Sequence, residues 1–185
     1  MTSLIEARKL MRTVIEILKI SSERSDYDAF GQGLGLAAPL YMGSALQNVP
    51  AEEKKSFRTQ VAELIGSDRN PGLLLSYMSD CEHYARMSKL DGFKKSCQMR
   101  SNIQIINDEF TPLDTIFSPA NLEILDDAEE VYRENADDIP PIPEEEIPSW
   151  TPESHWWWRI PKRKNMGTEE INDRLHYDRY DGLES

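Results

Sequence analysis

The chain has 185 residues, with 21 Lys plus Arg and 33 Asp plus Glu, so its formal net charge is −12. A hydrophobic content of 39% is sufficient for one core and argues against a globally disordered chain. The acidic balance excludes a whole-protein basic footprint for nucleic acid. The sequence has no run of about eighteen apolar residues, which argues against a membrane span.

Two features bear on the cellular compartment. The N-terminal sequence MTSLIEARKLMR has charges within its apolar pattern, unlike the uninterrupted apolar region of a secretory signal. Cys81 and Cys97 are too few for a disulfide framework or a Cys-rich zinc site. Both features predict a reducing compartment: the cytoplasm or, for a viral protein, the virion.

The first predicted helix covers residues 3–21. Its apolar residues recur at alternating spacings of three and four, which places them on one helical face. Those residues are Leu4, Ala7, Met11, Val14 and Leu18. Ser3 and Glu6 have the spacing of a capping box at the N-terminus. The outward face is predicted to carry Arg8, Lys9, Arg12, Glu16 and Lys19.

Further helices are predicted at about residues 50–66, 73–90 and 118–135, each supported by apolar periodicity. Residues 93–110 fit either a helix or a short strand at Ile103–Ile105, and the helical neighbours favour a helix. Residues 26–50 combine four glycines, Pro39 and a charge-free stretch. They predict a loop followed by one or two short helical turns, buried or covered by a partner. The fold class expected is therefore mainly α, with about four to five helices.

The composition changes after Asn135. Residues 136–149 are rich in proline and acid, which disfavours helix and predicts an extended spacer. The domain organisation expected is a helical domain at 1–135, the spacer at 136–149, and an arm with an acidic tail at 150–185. Residues 1–135 and residues 136–185 each carry a net charge of −6, so a division there spreads the charge equally.

All four tryptophans lie in one nine-residue stretch of the arm, residues 150–158, and basic residues follow this stretch directly. Each indole can bury about 150–250 Å², so a cluster of them on a wet tail would be an aggregation hazard. The rings are therefore expected to fill a groove, either on this chain or on a partner. The candidate partner-binding residues are Trp150, Trp156, Trp157, Trp158, Arg159, Ile160, Lys162, Arg163 and Lys164. An intramolecular use for the basic residues is contact with the acidic helix 119–135 or with the acids at 144–146.

The preferred function is a non-enzymatic structural or adaptor protein of a larger assembly, of viral or phage type by analogy. Its arm would dock on a neighbouring protein subunit, and a homo-oligomer is compatible with this role. The alternative is a nucleic-acid-related regulator. It would act by stacking on single strands or by an acidic surface that imitates DNA and inhibits a DNA-binding enzyme. Direct binding of nucleic acid is disfavoured because acidic segments flank the basic run.

No set of residues suggests catalysis, a metal or a cofactor. The segment Gly31–Gly35 lacks the Lys-Ser/Thr of a phosphate-binding loop and is interpreted as a turn or a close helix contact. Asp173 and His176 are spaced for one helical face but lack a third ligand. Cys97 has no neighbouring histidine and is interpreted as an inert thiol, and Cys81 as a small core residue.

Overall fold

The computed structural model describes residues 2–87 and 92–161. Within these ranges the chain is mainly helical, with six α-helices and no strand. They are α1 (Leu4–Arg24), α2 (Tyr27–Met42), α3 (Ala51–Gly66), α4 (Asn70–Arg86), α5 (Phe93–Ile105) and α6 (Pro119–Glu134). No helix in the described part of the chain combines the length and apolarity that a bilayer crossing requires.

The helix ends follow the caps that the sequence contains. Ser3 and Glu6 form the predicted capping box of α1, with both reciprocal hydrogen bonds present. The α3 helix starts at Ala51, with Pro50 at the cap position. The ambiguous segment is helical: α5 is followed by a π-helical turn at Ile106–Phe110. A strand at Ile103–Ile105 does not form.

The prediction of a loop with short turns for residues 26–50 is wrong for most of the segment, because Tyr27–Met42 is α2. The Asp26 side chain accepts a hydrogen bond from the Ala29 amide and caps the helix. Gly33 lies in close contact with α1: a Cβ there would be 2.6 Å from Leu18 Cδ2. Gly33, one of the glycines that suggested a loop, instead permits close packing of α2 on α1. Burial of much of α2 explains why most of this segment has no charged residues.

The main core lies among α1 to α5 and the turns that join them. It is mostly aliphatic, with Leu18, Phe30 and Ile65 fully buried. A buried polar side chain, Asn70, joins three helices there: its Nδ2 donates to the carbonyl oxygens of Leu18 and Leu64. Burial of the aliphatic faces thus positions α5, on which the candidate site is built.

Candidate functional site

A second hydrophobic cluster is formed by α4, α5, α6, the spacer and the arm. Its buried members are Ala85, Phe93, Cys97, Ala128, Val131, Tyr132, Ile139, Ile147, Trp157 and Trp158. Trp157 and Trp158 are 3% and 2% exposed. Of the two possibilities that the sequence left open for these rings, the structure has the intramolecular one.

The Ser101 hydroxyl is the polar centre of this cluster. Its Oγ lies 3.1 Å from Trp157 Nε1, 2.9 Å from Trp158 Nε1 and 3.0 Å from His155 Nδ1. An indole N–H can only donate, so the two tryptophans use both lone pairs of the oxygen. The serine proton is then directed to His155 Nδ1, which requires a neutral imidazole with its proton on Nε2. One hydroxyl is therefore a hydrogen-bond partner of three buried groups of the arm, and the Trp157 N–H also donates to the Cys97 carbonyl oxygen at 3.2 Å.

The protonation of His155 agrees with this arrangement. Burial, reinforced by the positive charge of Arg100, lowers the pKa of His155 to about 4, while Asp108 opposes the shift. The imidazole also stacks on Trp157, with ring centroids 4.6 Å apart. His155 is therefore neutral near pH 7, as the hydrogen bond from Ser101 requires.

Two arginines cover the indole rings. The Arg100 guanidinium lies 4.8 Å from the centre of the Trp157 ring and donates to Glu129 at 2.6 Å. Arg133 lies 4.5 Å from the centre of the Trp156 ring. Cations at these distances from the ring face are attracted by the aromatic quadrupole. The arm is thus held from two helices, by Arg100 on α5 and Arg133 on α6.

Apart from the buried Trp157 and Trp158, the predicted site residues that the structure describes lie near the surface. Trp150 packs partly buried against the main core, and Trp156 packs partly buried against Tyr132. Arg159 forms an ion pair with Glu144 at 2.9 Å, which is one of the contacts that the sequence suggested between the basic residues and the acids at 144–146. Ile160 borders the second cluster. Lys162, Arg163 and Lys164 lie outside the described residues.

Sequence reasoning missed Ser101, Arg100 and the role of His155. A signal was present, because the arm has two indole N–H groups that need acceptors once they are buried. The sequence offers many hydroxyls, however, and nothing local selects Ser101, which precedes His155 by 54 residues. The spacer also lies against this domain, with Ala136, Ile139 and Ile147 buried.

The two cysteines behave as expected for core residues. Cys81 and Cys97 are both fully buried, and neither forms a disulfide. Burial raises the pKa of the Cys81 thiol to about 11 and that of Cys97 well above its usual range. Both thiols are therefore protonated near pH 7 and poorly nucleophilic. In the described residues no group of three or more His, Cys, Asp and Glu side chains could hold a metal ion.

The negative charge is concentrated in one part of the chain. Residues 113–161 contain 13 acids and two bases, whereas residues 1–112 contain 14 of each. A division at residue 135 conceals this, because it cuts the acidic region in half. Exposed carboxylates of α6 and the spacer form what we call the acidic face: Glu123, Asp126, Asp127, Glu130, Glu134, Asp137, Glu144, Glu145 and Glu146. The Trp156 ring and Arg159 adjoin this face through Arg133 and Glu144.

Comparisons with family models, with curated proteins and with solved structures find no match to this chain.

Proposed function

We propose that this chain is a non-enzymatic structural or adaptor component of a larger assembly, and that it binds a partner protein with a basic surface. The observation that supports the proposal is the charge asymmetry: a net −11 over residues 113–161 against zero over residues 1–112. A surface with one sign of charge raises the association rate with an oppositely charged partner and disfavours other partners.

In this proposal the arm has two roles. Trp157 and Trp158 attach it to its own domain, and the outer residues Trp156, Arg159 and Ile160 contribute apolar and cationic contacts beside the acidic face. Tryptophan and arginine are enriched among the residues that dominate binding energy at protein interfaces. Use of Trp157 and Trp158 themselves as anchors on a neighbouring subunit would require the arm to leave its groove. It would also leave the Ser101 hydroxyl without its three partners on the arm.

The test uses two variants with the same loss of charge. The first replaces four carboxylates of α6: Glu123→Gln, Asp126→Asn, Asp127→Asn and Glu130→Gln. The control replaces four exposed carboxylates elsewhere: Glu52→Gln, Glu63→Gln, Asp28→Asn and Asp68→Asn. The tagged full chain is expressed in its native source, and crosslinked partners are mapped by mass spectrometry. Crosslinks at α6 and the spacer are expected in wild type and control, and are expected to be lost in the α6 variant and at high salt.

Equal retention of the partner by both variants would contradict the proposal. So would a partner other than a second copy of this chain whose crosslinks fall only on residues 1–66.

A second candidate, imitation of DNA by the acidic face, is supported by the same density of carboxylates. It differs in the identity of the partner: a nucleic-acid-binding protein whose bound DNA competes with this chain. Adding double-stranded DNA to the recovered complex distinguishes the two. Displacement of the chain by DNA favours imitation, and persistence of the complex favours the adaptor role. Stacking on single strands has less support, since Trp157 and Trp158 are buried and the other two indoles are only partly exposed.

A further inference from the structure

The outward face of α1 is unusual for a surface helix. The exposed large hydrophobic residues of the described chain are Ile5, Leu10 and Ile20, with 79%, 38% and 40% of their surface accessible, and all lie on α1. Single exposed apolar residues are ordinary on a protein surface. Three on one helix, which no other described segment covers, indicate a contact surface.

The α1 helix also lies between two grooves. The groove on the α2 side has a volume of about 240 Å³ and is lined by aliphatic residues and proline. The groove on the α3 side has a volume of about 440 Å³, with Met11, Ile15 and Phe57 among its lining residues. With a groove on each side, α1 forms a ridge on the surface, and a ridge of this kind can pack against the corresponding ridge of another molecule.

The residues along the ridge have a self-complementary order. At about 100° per residue, Ile5, Lys9, Glu16 and Ile20 fall within an arc of about 60°. The isoleucine pair and the charged pair share one midpoint along the helix. A two-fold axis at that midpoint therefore brings Ile5 against Ile20 of a second copy and Lys9 against Glu16 of that copy.

The charged pair is available for such a contact. Lys9 and Glu16 are exposed, and neither forms an ion pair within the described residues. Arg12 lies at the edge of the stripe, where its long side chain can stay in solvent. Lys9 and Glu16 are about 10 Å apart along their own helix, too far to pair with each other. In a two-fold symmetric pair of α1 helices, Lys9 can contact Glu16 of the second copy only if the two helices run in opposite directions.

The charge distribution favours a second copy on this face. The chain has a net charge of −12, so two copies repel each other unless they meet where charges balance. Residues 1–112 have no net charge, and α1 within them has five bases and three acids. Two α1 helices therefore repel each other less than two acidic faces do, and the Lys9–Glu16 pairs offset part of that repulsion. Pairing through α1 also leaves the carboxylates of α6 free.

We propose that α1 forms an antiparallel, two-fold homodimer interface, with Ile5 against Ile20 and Lys9 against Glu16 of the second copy. The stripe covers about 22 Å along the helix and about 10 Å across it. This is smaller than a standard interface of about 800 Å² per partner, so the walls of the two grooves must contribute. An interface of this size is expected to be weak, so the dimer dissociates on dilution.

The experiment is a charge exchange measured by sedimentation equilibrium of the full chain over a dilution series at low ionic strength. Lys9→Glu places like charges at both symmetric contacts, and so does Glu16→Lys. Each is expected to raise the dissociation constant about tenfold. The double variant Lys9→Glu/Glu16→Lys restores opposite charges and is expected to recover the wild-type value. Changes within one helix cannot produce that recovery, because the two residues are two turns apart.

The matched control is Lys55→Glu/Glu63→Lys, which makes the same exchange at exposed positions of α3 that line neither groove. It is expected to dimerise as wild type does. Circular dichroism checks that each variant remains folded. Two results would overturn the proposal: a wild-type chain that stays monomeric throughout the series, or a dimer for which the double variant fails to recover what the single variants lose.

Discussion

The two hydrophobic clusters of this molecule are stabilised in different ways. The main core joins helices that follow one another along the chain, and its buried side chains are mostly aliphatic. The second cluster joins α5 to an arm more than fifty residues later, and its largest buried side chains are two indoles and Tyr132. The main core depends chiefly on burial of apolar area, with the hydrogen-bonded Asn70 as a buried polar side chain within it. The aromatic cluster also needs an acceptor for each buried N–H, and Ser101 supplies one for both.

The largest effect is expected from Trp158→Ala, because Trp158 is 2% exposed and its N–H is hydrogen-bonded to Ser101. Truncation of a buried tryptophan costs about 3–5 kcal/mol of unfolding free energy. Urea unfolding of the isolated chain, followed by far-UV circular dichroism, measures the loss. Trp150→Ala is the comparison: Trp150 is only partly buried against the main core, so a smaller loss is expected. Equal losses would remove the distinction between the two indoles.

The hydrogen-bond centre gives a second, intermediate effect. Ser101→Ala leaves the Trp158 N–H and His155 Nδ1 without their partner, and leaves the Trp157 N–H with the Cys97 carbonyl oxygen alone. The expected cost is about 2–3 kcal/mol of unfolding free energy. Ser22→Ala is a matched control, because the Ser22 hydroxyl is buried without any hydrogen-bond partner in the described structure. Its removal is expected to be neutral or slightly stabilising. Urea unfolding of both variants tests this, and equal losses would mean that burial alone holds the arm.

The sequence predicted those parts of the fold that depend on local pattern. The periodicity and the capping box of α1 were sufficient, as was the apolar periodicity that predicted a helix at 118–135, which is α6 (Pro119–Glu134). The α2 helix was missed because a glycine-rich sequence is typical of a loop. In this helix, Gly33 instead allows Leu18 of α1 to approach closely, and the sequence alone does not show that contact.

The same limit applies to the candidate site. The tryptophans and the need to bury them were visible in the sequence. Their acceptor, Ser101, was not, since a pairing across more than fifty residues leaves no trace in local spacing.

A pH dependence also distinguishes the two clusters, because only the aromatic one contains a buried histidine among the described residues. The pKa of His155 is about 4 in the folded chain and about 6.5 when unfolded. The unfolded state therefore binds more protons between these values. His155 contributes its full stability above pH 6.5, and the contribution falls as the pH is lowered towards 4. Arg100 adds to this effect, because it repels a protonated imidazole.

Because the chain also has 33 Asp and Glu residues, the pH profile of the wild type alone is not decisive. The informative quantity is the difference between wild type and His155→Gln, which retains an acceptor but has no titrating ring. That difference is expected to shrink as the pH falls from 6.5 to 4 and then to level off. Urea unfolding across this range measures it. A constant difference would mean that folding does not lower the pKa of His155.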